Sequence, residues 1–471
     1  MLFNSVQFVA FFLAVLVAYH GLLRSWDSRK TFLLGASWLF YATWSPAFLA
    51  VLVGTTWVDF HLAGAIYARR WAAPGMERDR GRARARPLLV TSLALNLGLL
   101  AFFKYAGFLY RSTAALASLP PMPAWLAFAV PLGISFYTFH SISYVIDTYR
   151  GLRPPTTSFR DFALYVAFFP QLVAGPITRW GFFGPQLDTS PRVRPRDVEA
   201  ALFLLAVGFV KKVVFADSLG GFVDRVYDDP GGAGRSETWL ALYAYAFQIY
   251  FDFSGYTDIA WGVAGLLGFR LPENFRHPYL AESPADFWRR WHISLSTWLR
   301  DYLYVSLGGN RRGRLRTYAN LLVTMLLGGL WHGAAWTFVL WGAFHGVWLA
   351  LHRALAAART GPPVTPLWLR RVVTFHLVCV GWVLFRAGDV ATAADVLRGL
   401  VLPRKILGPF PVGALIVVAL GAVTQVLALR VEPPRIWASI PRPIRGVGFA
   451  VVVLLLGLFS AQSGRFIYFQ F

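Results

Sequence analysis

The chain has 471 residues, 56% of them hydrophobic and 14% charged, with a mean hydropathy of +0.51. A soluble globular domain carries roughly 25% charged residues, so the composition excludes an ordinary soluble fold and points to an all-α polytopic membrane protein. Lys and Arg outnumber Asp and Glu by 45 to 23, yet the arginines cluster in short loops between apolar runs, as positive-inside anchors do, and no nucleic-acid module is visible. The single cysteine, Cys379, excludes an intrachain disulfide and reads as a small packing residue.

Apolar segments near the ~20 residues needed to cross a hydrocarbon core follow one another along the chain. The first, 6–23, has no basic leader and is expected to stay as a transmembrane helix. Next come 32–43, 47–67, 88–110 and 125–146, then 163–174, 200–214, 240–256 and 259–267. The C-terminal half adds 321–330, 335–351, 372–385, 412–429 and 447–459. Several are too short to span alone, which predicts broken or re-entrant helices buried in protein or lining a wet cavity. Pro131, Pro170, Pro176 and the glycine pairs at 220–221 and 328–329 are the expected break points. The loop 24–30 is basic, and 69–86 carries seven arginines against two acids. One hairpin joins them, so both are expected in the cytoplasm with the N-terminus outside. No repeat and no soluble domain interrupts the pattern, so residues 1–471 read as one membrane domain.

Chemistry-bearing residues concentrate in the second half. Read at helical period, 285–306 places Phe287, Trp291, Leu295, Trp298 and Tyr302 on one stripe, with Trp288, His292 and Leu299 beside it. This predicts one amphipathic helix with arginine anchors, in which an interfacial role with an incidental histidine fits the same residues. Forty residues on, His332 lies in Gly328-Gly-Leu-Trp-His-Gly-Ala-Ala-Trp336, inside a stretch from 318 to 351 without Asp, Glu, Lys or Arg. An ionisable group at membrane depth is a functional candidate by default, and neutral imidazole can take a proton from a hydroxyl. The competing reading is a core histidine bonded to a carbonyl. His345, thirteen residues further along, would face another way on a continuous helix, and His20, His61, His140, His352 and His376 read as structural. Asp147, Asp252, Asp258, Lys211 and Lys212 read as ion pairs or snorkelling lysines. The glycines at 308–309 form no phosphate loop, and no Gly-x-Ser-x-Gly elbow supports a serine esterase. Zinc would find no third ligand beside His292 and His332, so neither metal nor cofactor is expected.

The segments Phe287-Trp-Arg-Arg-Trp-His-Ile-Ser-Leu-Ser-Thr-Trp-Leu-Arg-Asp301, Leu307-Gly-Gly-Asn310 and Gly328-Gly-Leu-Trp-His-Gly-Ala334 resemble the membrane-bound O-acyltransferase family. So do Pro131-Leu-Gly-Ile-Ser-Phe-Tyr137, Phe169-Pro-Gln-Leu-Val-Ala-Gly-Pro-Ile177, Tyr250-Phe-Asp-Phe-Ser-Gly-Tyr-Thr-Asp258 and the closing Phe466-Ile-Tyr-Phe-Gln-Phe471. The likeness is nearest to the bacterial branch that O-acetylates alginate, and is strongest over about 130–390. It implies a ring of roughly 10–13 tilted and re-entrant helices around a central acyl-transfer tunnel. It also implies acyl transfer from a cytoplasmic thioester, here acetyl-CoA, toward an exported polysaccharide through a partner protein outside the cytoplasm. His332 matches the family's catalytic histidine. His292 matches a second active-site position that is commonly Asn or Asp in eukaryotic members. On this reading Trp291, Trp331 and Asn310 shape the pocket, and Arg289, Arg290, Arg311 and Arg312 meet donor phosphates or simply anchor the chain.

Two other readings use the same residues. D-alanyl transfer to teichoic acid from a carrier-protein thioester lies within the family. A transporter with a histidine proton relay lies outside it, and the absence of inverted halves speaks against that.

Overall fold

The computed structural model describes residues 1, 3–71, 78–118, 120–126, 130–359, 361, 364–402, 411–427, 433–459 and 467. Among them the chain is helical, with no strand. Among the described residues, four helices are long and apolar enough to cross a membrane: Pro46–Arg70, Asp79–Ala117, Leu367–Arg386 and Arg442–Phe459. Val6–Leu22 and Val412–Leu427 are apolar but shorter. The described part of the predicted span 125–146 is mainly the helix Ile134–Arg150, and residues 127–129 and 428–429 of the predicted spans lie outside the described residues.

The helices gather into two compact units, residues 1–201 with 260–272 and residues 202–259 with 273–471. In the first, serine caps set the helix starts: Ser25 and Ser45 accept from the backbone N–H three residues on, and Pro46 opens its helix where no N–H is needed. The helices Pro46–Arg70 and Arg78–Leu100 are tied by the fully buried Asp59. Its carboxylate accepts from Ser92 Oγ at 2.6 Å and Asn96 Nδ2 at 2.8 Å. Lys30 reaches Asp161 at 3.0 Å. Outside the spans, Asp27 accepts from Arg160 at 2.6 Å, which holds its carboxyl below the usual range. His140, predicted to be structural, accepts at Nε2 from the Thr178 N–H, which lies 3.2 Å away.

The second unit carries the candidate site. Its helix Arg235–Leu266, which supplies residues to both units, is continuous where the sequence suggested two segments, 240–256 and 259–267. The reason is neutralisation. Asp252 is met by Lys212 at 2.6 Å and Asp258 by Lys211 at 2.6 Å, so neither acid forces a break. Gly255 lets the backbone of Gly208 pass so closely that a Cβ would sit 2.8 Å from the Gly208 carbonyl oxygen. Asp252 also accepts the backbone N–H of Ile467 at 2.9 Å.

Nor do the predicted glycine breaks hold. Gly220 and Gly221 lie inside Asp217–Asp228, and Gly328 and Gly329 lie inside Arg314–His332. The second pair serves close packing instead. Arg314–His332 and Trp336–Ala358 run antiparallel, with Gly329 against Phe338 and Gly342, Gly342 against Met325, and Gly346 against Leu322. A Cβ at Gly342 would lie 2.4 Å from the Met325 carbonyl oxygen. Lipid tails are as apolar as leucine, so backbone approach of this kind, rather than apolar burial, drives helix association in a bilayer.

Candidate active site

The glycine-seamed hairpin fixes His332. It is the last residue of its helix and is 4% exposed. Gly333 then turns the chain, and only glycine fits, because a Cβ there would lie 2.1 Å from the Phe338 ring. Trp331, Trp341 and Phe385 pack around the imidazole with ring centroids 5.0, 5.1 and 5.1 Å away.

His292 is positioned by a different device. The predicted amphipathic helix over 285–306 is not one helix. It breaks into Pro284–Arg290, Ile293–Trp298 and a π-helical turn, Leu299–Tyr304. At the first break His292 takes a left-handed backbone, φ 42° and ψ 55°. That conformation costs a non-glycine residue roughly 1–2 kcal/mol and persists only where the surroundings over-determine it. They do so through fully buried Asn274. Its backbone oxygen accepts from Ile293 N at 3.0 Å, and its Oδ1 accepts from Ser294 N at 3.2 Å and Ser294 Oγ at 2.8 Å. The first helix is capped by Ser283 and opened by Pro284.

The two devices bring the histidines together. Their ring centroids are 6.3 Å apart, and both rings are buried. Phe253 meets His292 edge-on at 4.6 Å and Trp331 flanks it at 5.8 Å. Two buried imidazoles within one aromatic enclosure form a setting suited to proton transfer to and from a reacting group.

The remaining predicted residues separate. Trp331 belongs to the chamber. Trp291 is equally buried, but its ring neighbours are Tyr250, Phe275, Tyr279, Phe287 and Trp382. It supports the His292 turn from the core side. Arg289 and Arg290 line a cavity of about 620 Å³ with Arg359, Arg370, His352 and Trp348. In it Asp286 pairs with Arg290 at 2.9 Å and Glu282 with Arg370 at 3.1 Å. Asn310, Arg311 and Arg312 sit on an exposed turn that Asn320 holds by its bond to the Gly309 carbonyl at 2.9 Å, and they do not line this cavity. Near the His292 turn, His277 is held below its usual value by burial and by the neighbouring Arg290.

Two further histidines, read from the sequence as structural, lie close to these groups: His352 lines the cavity, and His345 packs on Trp341 beside the histidine pair. Facing His345 away from His332 assumed a continuous helix. The chain instead reverses at 333–335, and both rings pack on Trp341. Spacing at 341, 345, 348 and 352 marks one face of a helix and was the signal available. Among the described residues, no three His, Cys, Asp or Glu side chains gather as a metal site.

Comparison with known proteins gives a consistent answer. The model of the membrane-bound O-acyltransferase family matches residues 150–387, which include both histidines. A probable alginate O-acetylase of Azotobacter vinelandii is 43% identical over 397 residues, covering 83% of this chain and 76% of its own. One from Pseudomonas aeruginosa is 44% identical, covering 83% and 73%. A peptidoglycan O-acetyltransferase of Helicobacter pylori is 36% identical, covering 85% and 80%.

Proposed function

The chain belongs to the membrane-bound O-acyltransferase family, and we propose that it takes acetyl groups from cytoplasmic acetyl-CoA and passes them across the membrane for O-acetylation of an exported polysaccharide, alginate or a similar polymer. The facing pair of buried histidines is the observation that carries this reading. The names of the relatives, which act on alginate and peptidoglycan, support an extracytoplasmic glycan as the final acceptor. A bacterial inner-membrane location, an N-terminus outside and a partner protein that hands acetyl to the polymer complete the proposal.

In the chemistry we propose, His332 is the general base. It takes the proton of the acceptor hydroxyl as the oxygen attacks the acetyl carbonyl carbon. The carbon–sulfur bond breaks, and the proton passes to the departing CoA sulfur. His292 orients the hydroxyl or polarises the carbonyl, and the fixed left-handed turn supplies the precision this needs, since an error of 1 Å can cost about a hundredfold in rate. Arg289 and Arg290, with Arg359 and Arg370, meet the donor's phosphates in the adjoining cavity. Trp331 walls the chamber and Trp291 braces the turn. Arg311 and Arg312, on their exposed loop, fit headgroup contact better than donor binding.

The test is free-CoA release from acetyl-CoA by the protein in nanodiscs, in the presence of an alginate oligosaccharide and a periplasmic extract that supplies the partner protein. Wild type is compared with His332→Ala. Release that disappears in the folded variant supports the donor and the base together. Release at the wild-type rate removes His332 from the chemistry.

A further inference from the structure

His345 lies outside the proposed roles, yet its setting is unusual for a packing residue. It is fully buried, and neither ring nitrogen has a hydrogen-bond partner among the described residues. Phe287, Trp288, Trp341, Phe344 and Trp348 enclose it at centroid distances of 6.1, 5.2, 4.8, 5.4 and 5.9 Å. Gly381 completes the box, for a Cβ there would lie 2.9 Å from His345 Nε2. A phenylalanine would fill such an aromatic box without burying two polar atoms, whose burial is unfavourable when they are unpaired.

Position along the helix gives the box a direction. Trp341, His345, Trp348 and His352 share one face of Trp336–Ala358. At one end Trp341 meets His332 edge-on, its ring plane at 86° to the imidazole. At the other, Trp348 and His352 line the arginine cavity. His345 touches both Trp341 and Trp348, and so joins the cavity to the histidine pair through a single side chain.

We infer that His345 is a positioning residue for His332, acting through the Trp341 indole on the side of the arginine cavity. The inference rests on His332 being the base. The imidazole of His345 meets Trp341 at 63°, and its ring dipole holds the indole in the orientation that in turn fixes the His332 ring. An apolar ring of similar size would keep the packing and lose the dipole.

The test pairs kinetics with a direct readout of His332. His345→Phe in nanodiscs is expected to lower kcat roughly ten- to a hundredfold, as a small misplacement of a reacting group does, with KM for acetyl-CoA unchanged. The ring-nitrogen NMR signals of ¹⁵N-labelled His332 are expected to move, and His345→Gln, which restores a polar group, to recover part of the rate. If the Phe variant does not fold, His345→Leu is read the same way. Unmoved His332 signals with a wild-type kcat overturn the inference and leave His345 a packing residue. Shifted signals in a variant of normal rate, together with an active His332→Ala, uphold the coupling while removing His332 as base.

Discussion

Both compact units bury polar groups and each leaves some without a partner among the described residues, Trp38 Nε1 and His140 Nδ1 in one and Trp341 Nε1 and His345 in the other, but the two differ in what those groups surround. In the unit of residues 1–201 and 260–272, several such groups knit neighbouring helices together: Asp59 with Ser92 and Asn96, His140 Nε2 with Thr178, and Gln171 with Thr178 and the Tyr165 carbonyl. In the other unit, the indole nitrogens of Trp288 and Trp341 and both nitrogens of His345 have no hydrogen-bond partner among the described residues. Satisfied networks rigidify a membrane scaffold. The second unit holds both His292 and His332 and reads as the place of chemistry, and the first reads as support.

This contrast is open to test by substitution. The largest effect is expected from His332→Ala, a loss of about a hundred- to ten-thousandfold in acetyl transfer, measured as CoA release with the fold checked by gel filtration. Next, Gly342→Val should separate the hairpin and lower thermal stability in detergent together with activity, because the Met325 carbonyl leaves no room for a side chain. Asn274→Ala removes the two side-chain bonds at the left-handed turn of His292 and keeps the backbone bond from Ile293. A fall of roughly tenfold or more in kcat is expected, and an unchanged kcat would show that the turn needs no such support. Arg290→Gln should raise KM for acetyl-CoA severalfold and leave kcat near wild type, as loss of uniform binding does. The smallest effect is expected in the first unit. Asp59→Asn should cost about 1–2 kcal/mol of stability and leave the rate per folded molecule within twofold. A large rate loss there would break the division between support and chemistry.

Much of this was legible from the residues. The composition announced a polytopic helical protein, and the motifs around His292 and His332 carried the family and the pair. What stayed hidden depends on contacts distant in sequence. The break at His292 is imposed by Asn274, which no local periodicity reports. Helix 235–266 looked interrupted because the lysines that neutralise its acids lie some forty residues upstream. Gly328 and Gly329 looked like a break, yet Gly328 packs on Leu299 and Gly329 belongs to a seam whose other half, Gly342 and Gly346, lies on the next helix. His345 was turned the wrong way for the same reason: a chain reversal changes which residues face each other, whereas spacing along one helix does not.

The left-handed backbone at His292 also limits what evolution can place there. Asn and Asp are the side chains most tolerant of that conformation after glycine, and β-branched residues are the least. Substitution at 292 is therefore filtered twice, once by backbone shape and once by reactivity. An Asn or Asp at 292 would keep the turn while giving up the imidazole. Any substitution at 292 has to satisfy the backbone geometry before its chemistry can matter.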